Sequence, residues 1–317
     1  PAPGMPLAPT TRPGSDLGGR GRKRRAGRNL PAAIGVGLVL GTIVISSVYL
    51  WRPAFIVVVV AAAAIAIWEV TRAVASSPRS GFTAPSGAGQ GAASPGPRPV
   101  PRSHPPVLPL IAGAAVMITL AWFAGVEALT LGLTITVLAV LIWRLADGPG
   151  GYLRDVVAAT LVAVYVPFLA GFAVLLAKPD DGPNRVIATL VAVVLSDTGG
   201  YVAGVFFGRH PMAPTVSPKK SWEGAVGSLL AAGAGGAVVL MFGFDRPWWD
   251  GVIFGVAVSL ASILGDLAES LLKRDLGVKD MSQLLPGHGG IMDRLDSILF
   301  ALPCSYLLLT WLAPAGG

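Results

Sequence analysis

The sequence predicts an all-α integral membrane protein, a polytopic bundle of about nine transmembrane helices. Hydrophobic residues make up 53% of the 317 residues and charged residues only 13%, whereas soluble domains carry about 25% charged residues. Apolar segments of 18 residues or more recur along the chain, and a helix needs ~20 such residues to cross the hydrocarbon core of a bilayer. The positions of Lys and Arg between these segments fit the same architecture.

Nine apolar segments are the predicted spans, and they fall into two groups along the chain. The spans cover roughly residues 30–50, 53–71, 107–125, 127–145, 154–177, 184–208, 222–242, 250–272 and 291–313. The first two make an N-terminal pair, residues 30–71, and the other seven lie in a C-terminal membrane region, residues 107–317. The single cysteine, Cys304, excludes an intrachain disulfide and any cysteine-based zinc cluster.

Two segments outside the spans have the composition of disordered chain. Residues 1–29 are rich in Pro, Gly and Arg, and residues 72–106 form a Pro/Gly/Ser linker to which we assign no chemistry. The basic run RGRKRRAGR in the tail is typical of a topology signal beside a first span. Binding to anionic lipid or nucleic acid is the alternative. We favour the topology signal and expect no nucleic-acid partner.

The distribution of positive charge predicts the orientation. With the N-terminus in the cytoplasm and nine crossings, 20 of the 24 Lys and Arg residues lie on the cytoplasmic side. The other side holds only Arg52, Lys178, Arg185 and Arg246. Because cytoplasmic loops carry an excess of Lys and Arg, this bias supports the orientation and an odd number of crossings. The polar motifs of the later spans then face the cytoplasm.

Carboxylates stand in or at the mouths of the last two predicted spans, where ionisable groups are costly and suggest function. Asp266, Glu269 and Lys273 follow at i, i+3 and i+7, which places them on one helical face. Asp293 and Asp296 are also three residues apart. If the two helices pack antiparallel across their short connection, four carboxylates meet, and such oxygen ligation suits Mg²⁺. An ion-pair network between two helices is the alternative.

Groups suited to phosphate binding lie near these carboxylates in the sequence. The motif SPKKSWEG, residues 217–224, directly precedes a span whose N-terminus is itself an anion site. It offers Ser217, Lys219, Lys220 and Ser221. Its lysines are equally typical of a topology signal. Lys279 follows the eighth span, and the glycine-rich loop LLPGHGG allows close approach of the backbone to a phosphate.

Other polar and small residues in this half of the chain leave alternatives open. His288, in the glycine-rich loop, is a substrate contact or the donor of a turn hydrogen bond, and without a second His or Cys nearby we reject a zinc site. Asp197, in the sixth span, belongs to the substrate site or to the helix packing. Gly200, Gly204 and Gly208 form a small-xxx-small pattern that predicts close helix packing.

The motifs of several enzyme classes are missing. The chain contains no G-x-S-x-G, no G-x-x-x-x-G-K-[ST] and no G-x-G-x-x-G that follows a strand. Carboxylates, cations and a glycine loop together indicate phosphate chemistry that works by positioning and charge neutralisation, without a covalent enzyme intermediate.

At these residues the chain resembles the phosphatidate cytidylyltransferases, also called CDP-diacylglycerol synthases. The family signature S-x-x-K-R-x4-K-D-x5-P-G-H-G-G-x-x-D-R-x-D matches residues 270–296 throughout. Upstream, SDTGGYVAG, SPKKSWEG and GDLAES fit the other family motifs in order. Two departures are mild: Gly200 stands where Ala is frequent, and Ser221 where Thr is common.

The resemblance implies a reaction for phospholipid biosynthesis: CTP and phosphatidic acid give CDP-diacylglycerol and pyrophosphate, with Mg²⁺ and room for a second cation. It implies catalytic roles for Asp266, Asp293, Lys273 and Arg294, and metal binding by Asp266, Asp293, Asp296 and Glu269. It implies substrate binding by Lys220, Ser217, Arg274, Lys279, His288, Asp197 and Glu223. We further expect membrane lipid as a partner, a homodimer, and a multi-pass protein of the cell (inner) membrane whose active site faces the cytoplasm.

Two rival functions share some of these features. An ion-coupled transporter also uses intramembrane carboxylates, but it should show polar residues along a whole path across the membrane. Another lipid-linked phosphotransferase, such as a CTP-dependent polyprenol kinase, would share the phosphate ligands. A CDP-alcohol phosphotransferase is disfavoured because its D-G-x-x-A-R core is missing from the sequence.

Removal of residues 1–25 should leave turnover in detergent nearly unchanged, because we interpret the basic run as a topology signal and not as part of the site. The measurement compares the specific activity of the purified full chain and the shortened chain. A large loss in the shortened chain would contradict this interpretation of the tail.

Overall fold

A computed structural model describes residues 30–77, 105–282, 284 and 289–314 of the chain. Within them the protein is helical apart from one small antiparallel sheet. The helices are α1 Leu30–Leu50, α2 Arg52–Ser76, α3 Val107–Leu145, α4 Tyr152–Ala163, α5 Leu169–Ala177, α6 Gly182–Phe207, α7 Trp222–Gly243, α8 Trp248–Leu276 and α9 Met292–Leu312. The strands are β1 Pro211–Ala213 and β2 Ser217–Ser221. The predicted tail, the linker from residue 78 to 104 and His288 lie outside the described residues.

Seven helical spans in the described residues are long and apolar enough to cross a membrane, which confirms the predicted class. The predicted number of about nine is not confirmed by this count. α3 counts as one span although it covers two predicted ones, and α1 contributes only a shorter apolar helix, Gly35–Leu50. The fifth predicted span is a single unit because a π-helical turn, Val164–Phe168, joins α4 to α5 without a break.

α3 folds back on itself at Gly125. This glycine has φ +78°, a left-handed conformation that costs glycine little and other residues more. A methyl group added to Gly132 would lie 3.0 Å from the Cα atom of Met117, and one added to Gly113 would meet the side chain of Thr136. Residues before and after Gly125 therefore face each other in antiparallel order, which identifies α3 as a helical hairpin.

Small residues set the distance between α6 and α7. A methyl group on Gly199 would lie 2.7 Å from the carbonyl oxygen of Gly227, and one on Gly224 would lie 3.0 Å from that of Gly200. Backbones can approach this closely only where side chains are missing, as in other membrane helix pairs. Gly200 and Gly204, two of the three glycines of the predicted small-xxx-small pattern, lie in this contact and confirm the prediction of close packing.

The arginines buried in the described spans are paired with carboxylates, because an unpaired charge is costly in the apolar interior of a bundle. Arg144, at the end of α3, lies 2.9 Å from the carboxylate of Asp155 in α4, and both are almost completely buried. Near the opposite end of the bundle, Arg185 in α6 lies 2.7 Å from Asp181 and donates to the carbonyl oxygen of Leu309 in α9. Both ends of the bundle therefore carry an arginine that joins neighbouring helices.

Successive long helices pack side by side, and the polar motifs meet at one end of the bundle. α7 contacts α6 and α8, and α8 contacts α9. The second half of α6, the first turn of α7, the last turns of α8 and the first turn of α9 lie around the strand pair β1–β2. α5, buried along almost its whole length, fills the centre beside α3 and α9.

Gly255→Ala in α8 should destabilise the protein, because a methyl group there would lie 2.9 Å from the Cα atom of Gly233 in α7 and closer still to the carbonyl group of Ala232. We expect a cost of about 1–3 kcal/mol, typical of overpacking, seen as a melting temperature several degrees lower in detergent. Gly243→Ala is the matched control, since nothing lies within 4 Å of that position. Equal melting temperatures for the two variants would contradict this account of the α7–α8 contact.

Candidate active site

A cavity of about 440 Å³ lies between the ends of α6, α7, α8 and α9 and the strand β2. Seven of the thirteen residues for which the resemblance implies a role line it. They are Asp197, Lys220, Asp266, Lys273, Asp293, Arg294 and Asp296. Because the predicted residues come from four separate elements, their convergence on one cavity is the main structural support for the predicted site.

The α6–α7 wall of the cavity is mostly backbone. Gly200, Gly204 and Gly224 line it, together with the larger Tyr201. The hydroxyl group of Ser221, the last residue of β2, accepts a hydrogen bond of 3.1 Å from the backbone of Gly224 and caps α7. The glycines that bring the two helices together therefore also leave room for a ligand beside them.

Two lysine–carboxylate pairs face this space. Lys220 in β2 places its Nζ atom 2.5 Å from Oδ2 of Asp266 in α8. Lys273 in α8 places Nζ 3.0 Å from Oδ1 of Asp293 in α9 and also pairs with Glu269 one turn earlier. Each lysine therefore links two elements of the site, and each aspartate already has a positive charge beside it.

The carboxylate of Asp293 organises the segment between α8 and α9. Its Oδ2 atom accepts hydrogen bonds from the backbone N–H groups of Gly290, at 2.7 Å, and Met281, at 3.1 Å. The side chain is only 8% exposed, although it reaches the cavity wall. Asp293 therefore holds the ends of the glycine-rich loop together in addition to any role in binding.

Several predicted residues lie away from the cavity lining. Arg274 donates to the carbonyl oxygen of Val216, at 3.2 Å, between the two strands. Glu223 accepts hydrogen bonds from the backbone of Arg209 and His210, both at 3.2 Å, and pairs with the His210 ring. Both side chains thus hold the strand pair in place. Ser217, Lys279 and Glu269 also lie outside the lining, and His288 falls outside the described residues.

The predicted magnesium site stays a prediction. Across the described ranges, from residue 30 to 314 with their gaps, three or more His, Cys, Asp or Glu side chains are nowhere grouped closely enough to hold a metal. Glu269 is fully buried against Lys273 and is not part of the cavity lining. Asp266, Asp293 and Asp296 do reach it. One or two of these carboxylates would suffice for Mg²⁺, which commonly completes its shell with water and substrate phosphates.

The sequence analysis missed one carboxylate that contacts the site from outside. Glu69 in α2 is fully buried and hydrogen-bonded to the backbone where α9 begins. The available signal was a carboxylate near the end of the apolar run AAAAIAIWEV, since intramembrane carboxylates suggest function by default. Its partner could not be inferred because the contact joins residues more than 200 positions apart.

Lys273→Met should destabilise the protein, because it leaves the buried carboxylates of Glu269 and Asp293 without their cation. Breaking a buried pair in this way costs about 3–5 kcal/mol. The double variant Lys273→Met/Glu269→Gln removes one of the two unpaired charges and should regain part of that stability while it remains inactive. Melting temperature and activity in detergent give the two readouts. A single variant as stable as the unchanged protein would contradict the proposed pairing.

Comparison with known proteins supports the motif match over nearly the whole chain. The model of the cytidylyltransferase family matches residues 31–312. A phosphatidate cytidylyltransferase of Mycobacterium bovis is 38% identical over 301 residues, which cover 91% of this chain and 90% of the relative. That of Mycobacterium leprae is 38% identical over 305 residues, with the same two coverages. That of Haemophilus influenzae is 41% identical over 153 residues, 44% of this chain and 51% of the relative. The chain therefore belongs to the cytidylyltransferase family.

Proposed function

We infer that this protein transfers the cytidylyl group of CTP to phosphatidic acid and so forms CDP-diacylglycerol and pyrophosphate. Its relatives over 91% of the chain are phosphatidate cytidylyltransferases. The observation that carries the inference is a single cavity, at one end of a helical membrane bundle, where Lys220 pairs with Asp266 and Lys273 pairs with Asp293. Such a cavity suits a phosphorylated, water-soluble substrate and a lipid headgroup at the same time.

The reaction needs positioning and charge stabilisation more than it needs a base. An oxygen of the lipid phosphate attacks the α-phosphorus of CTP, and the bond from that phosphorus to the bridging oxygen breaks as pyrophosphate leaves. The attacking oxygen is already anionic, so no side chain has to remove a proton. Lys220, Lys273 and Arg294 line the cavity and would stabilise the negative charge that develops on the phosphates.

We propose Asp266 and Asp293 as the side chains that hold Mg²⁺, with Asp296 beside them for a second cation. In support, each of the first two carboxylates reaches the cavity, where Mg²⁺ could complete its shell with water and substrate phosphates. When bound, Mg²⁺ would neutralise charge on the phosphate oxygens of the substrates. Glu269, fully buried beside Lys273, would hold that lysine in place and not bind metal itself.

We propose nine crossings with the N-terminus and the cavity on the cytoplasmic side of the cell membrane. The two arms of the α3 hairpin, residues 107–124 and 126–145, would each cross, and α1 would cross as well. The excess of Lys and Arg on one side supports this orientation. The lipid substrate would then reach the cavity from the cytoplasmic leaflet. A second copy of the chain is a further proposed partner, from the family resemblance alone.

The position of a label in CTP tests the function directly. Purified protein with phosphatidic acid should place an α-phosphorus label in the lipid product and a γ-phosphorus label in pyrophosphate. A CTP-dependent lipid kinase would instead place the γ label in lipid, and a transporter would label no lipid. EDTA should abolish incorporation.

Asp266→Asn and Asp293→Asn should each lower metal-dependent incorporation at least ~100-fold, because each removes a carboxylate charge that would hold the cation, and the cation in turn would hold the phosphates. Asp266→Asn is the sharper test, since Asp293 also holds the loop backbone. Asp250→Asn, at the start of α8 and far along the helix from the cavity, is the control and should keep full activity. Full activity of the Asp266 variant would remove this residue from the site.

A further inference from the structure

A fully buried carboxylate outside the cavity contacts the segment that carries the catalytic residues. Glu69 lies in the last third of α2, a helix that contributes no side chain to the cavity lining. Its side chain has no exposed surface. A carboxylate so deeply buried is costly unless hydrogen bonds satisfy it. The hydrogen bonds that the Glu69 carboxylate accepts therefore identify the segment that it holds in place.

Glu69 accepts hydrogen bonds at the point where α9 begins. Its Oε2 atom accepts from the backbone N–H of Met292 at 2.8 Å, and Oε1 accepts from that of Ile291 at 3.0 Å. α9 has no side-chain cap of its own at Ile291, and the first N–H groups of any helix lack partners within it. Negative charge at a helix N-terminus is also favoured by the helix dipole. Glu69 thus caps α9 from another helix.

The same carboxylate contacts the other end of the glycine-rich segment. Its Oε1 atom accepts a hydrogen bond of 2.6 Å from the hydroxyl group of Ser282. Ser282 follows Met281, whose backbone donates to Asp293. Asp293 and Glu69 therefore hold the same two stretches of chain, 281–282 and 290–292, from two sides.

Gly290 shows how tightly the contact is made. A methyl group on Gly290 would lie 2.7 Å from Oε1 of Glu69 and nearer still to Oε2. Only glycine leaves space for the carboxylate at this position. The backbone N–H of Gly290 donates to Asp293 at 2.7 Å, so one glycine touches both acidic residues.

We propose that Glu69 is a positioning residue for the cytidylyl transfer: it fixes the start of α9 and thereby the places of Asp293, Arg294 and Asp296. The proposal rests on the function and site proposed above. Because Glu69 does not line the cavity, it acts through α9 and touches no substrate. A shift of about 1 Å in reacting groups can cost on the order of 100-fold in rate, so loss of the cap should affect turnover more than binding of CTP.

Glu69→Gln tests the proposal with little change in volume. The amide keeps one acceptor oxygen and places N–H groups opposite backbone donors. We expect kcat to fall ~10-fold to ~100-fold, while KM for CTP changes less than about threefold because Lys220 and its strand are untouched. Asp155→Asn is the matched control, because it also removes a buried carboxylate charge, that of the ion pair with Arg144. At a similar melting temperature it should keep kcat within about threefold.

Amide hydrogen exchange supplies a readout that does not depend on activity. In Glu69→Gln the N–H groups of residues 290–293 should exchange faster than in the unchanged protein, and in Asp155→Asn they should not. If the unchanged protein fails to label lipid, the proposed function fails, whereas the exchange result still decides the role of Glu69. Unchanged exchange together with unchanged kcat in Glu69→Gln would overturn the proposal. The proposal would also be overturned if, at equal melting temperature, kcat fell no further in Glu69→Gln than in Asp155→Asn.

Gly290→Ala provides an independent variant at the same contact. The added methyl group should displace the Glu69 carboxylate and lower kcat as Glu69→Gln does. Since both changes break one interaction, the double variant should be no more than about twofold worse than the poorer single variant. Multiplicative losses would show that the two residues act separately and would contradict the proposed contact.

Discussion

The site depends on Lys273 being held between two carboxylates of different helices. Its ammonium group pairs with Glu269 on its own helix and lies 3.0 Å from Asp293 on the next. Among the described residues Lys273 is the cation that pairs with both carboxylates, and a buried charge left unpaired is strongly destabilising. The ends of α8 and α9 are therefore fixed relative to each other by charge, while the apolar parts of the helices pack by shape.

Asp293 shows how one side chain can serve both structure and binding. One of its oxygens accepts from the backbone on both sides of the glycine-rich segment, and the other faces Lys273. The side chain nonetheless reaches the cavity wall. A group held by three donors keeps its orientation when substrates enter, and such preorganisation is what electrostatic catalysis requires.

Helical periodicity predicted much of the site, because it determines which face a residue occupies. The spacing of Asp266 and Lys273 placed them correctly on the cavity side of α8. Periodicity did not predict how deeply each side chain is buried. Glu269 shares that face but is fully buried beside Lys273. Contacts between distant parts of the chain, such as Glu69 with α9, leave no local pattern. The turn within α3 was predicted, since two separate apolar segments, 107–125 and 127–145, meet where Gly125 breaks the helix.

The cap on α9 has a consequence for how the protein is made. Glu69 enters the membrane with α2, but its backbone partners lie 222 and 223 residues later in the chain. At ~5–20 residues per second of synthesis, the carboxylate waits roughly 10 to 45 s before those donors exist. During that interval its oxygens must be satisfied by water molecules or by a temporary neighbour. The arrival of α9 therefore completes the catalytic cavity and, in the same event, ends the exposure of a charge within the bilayer.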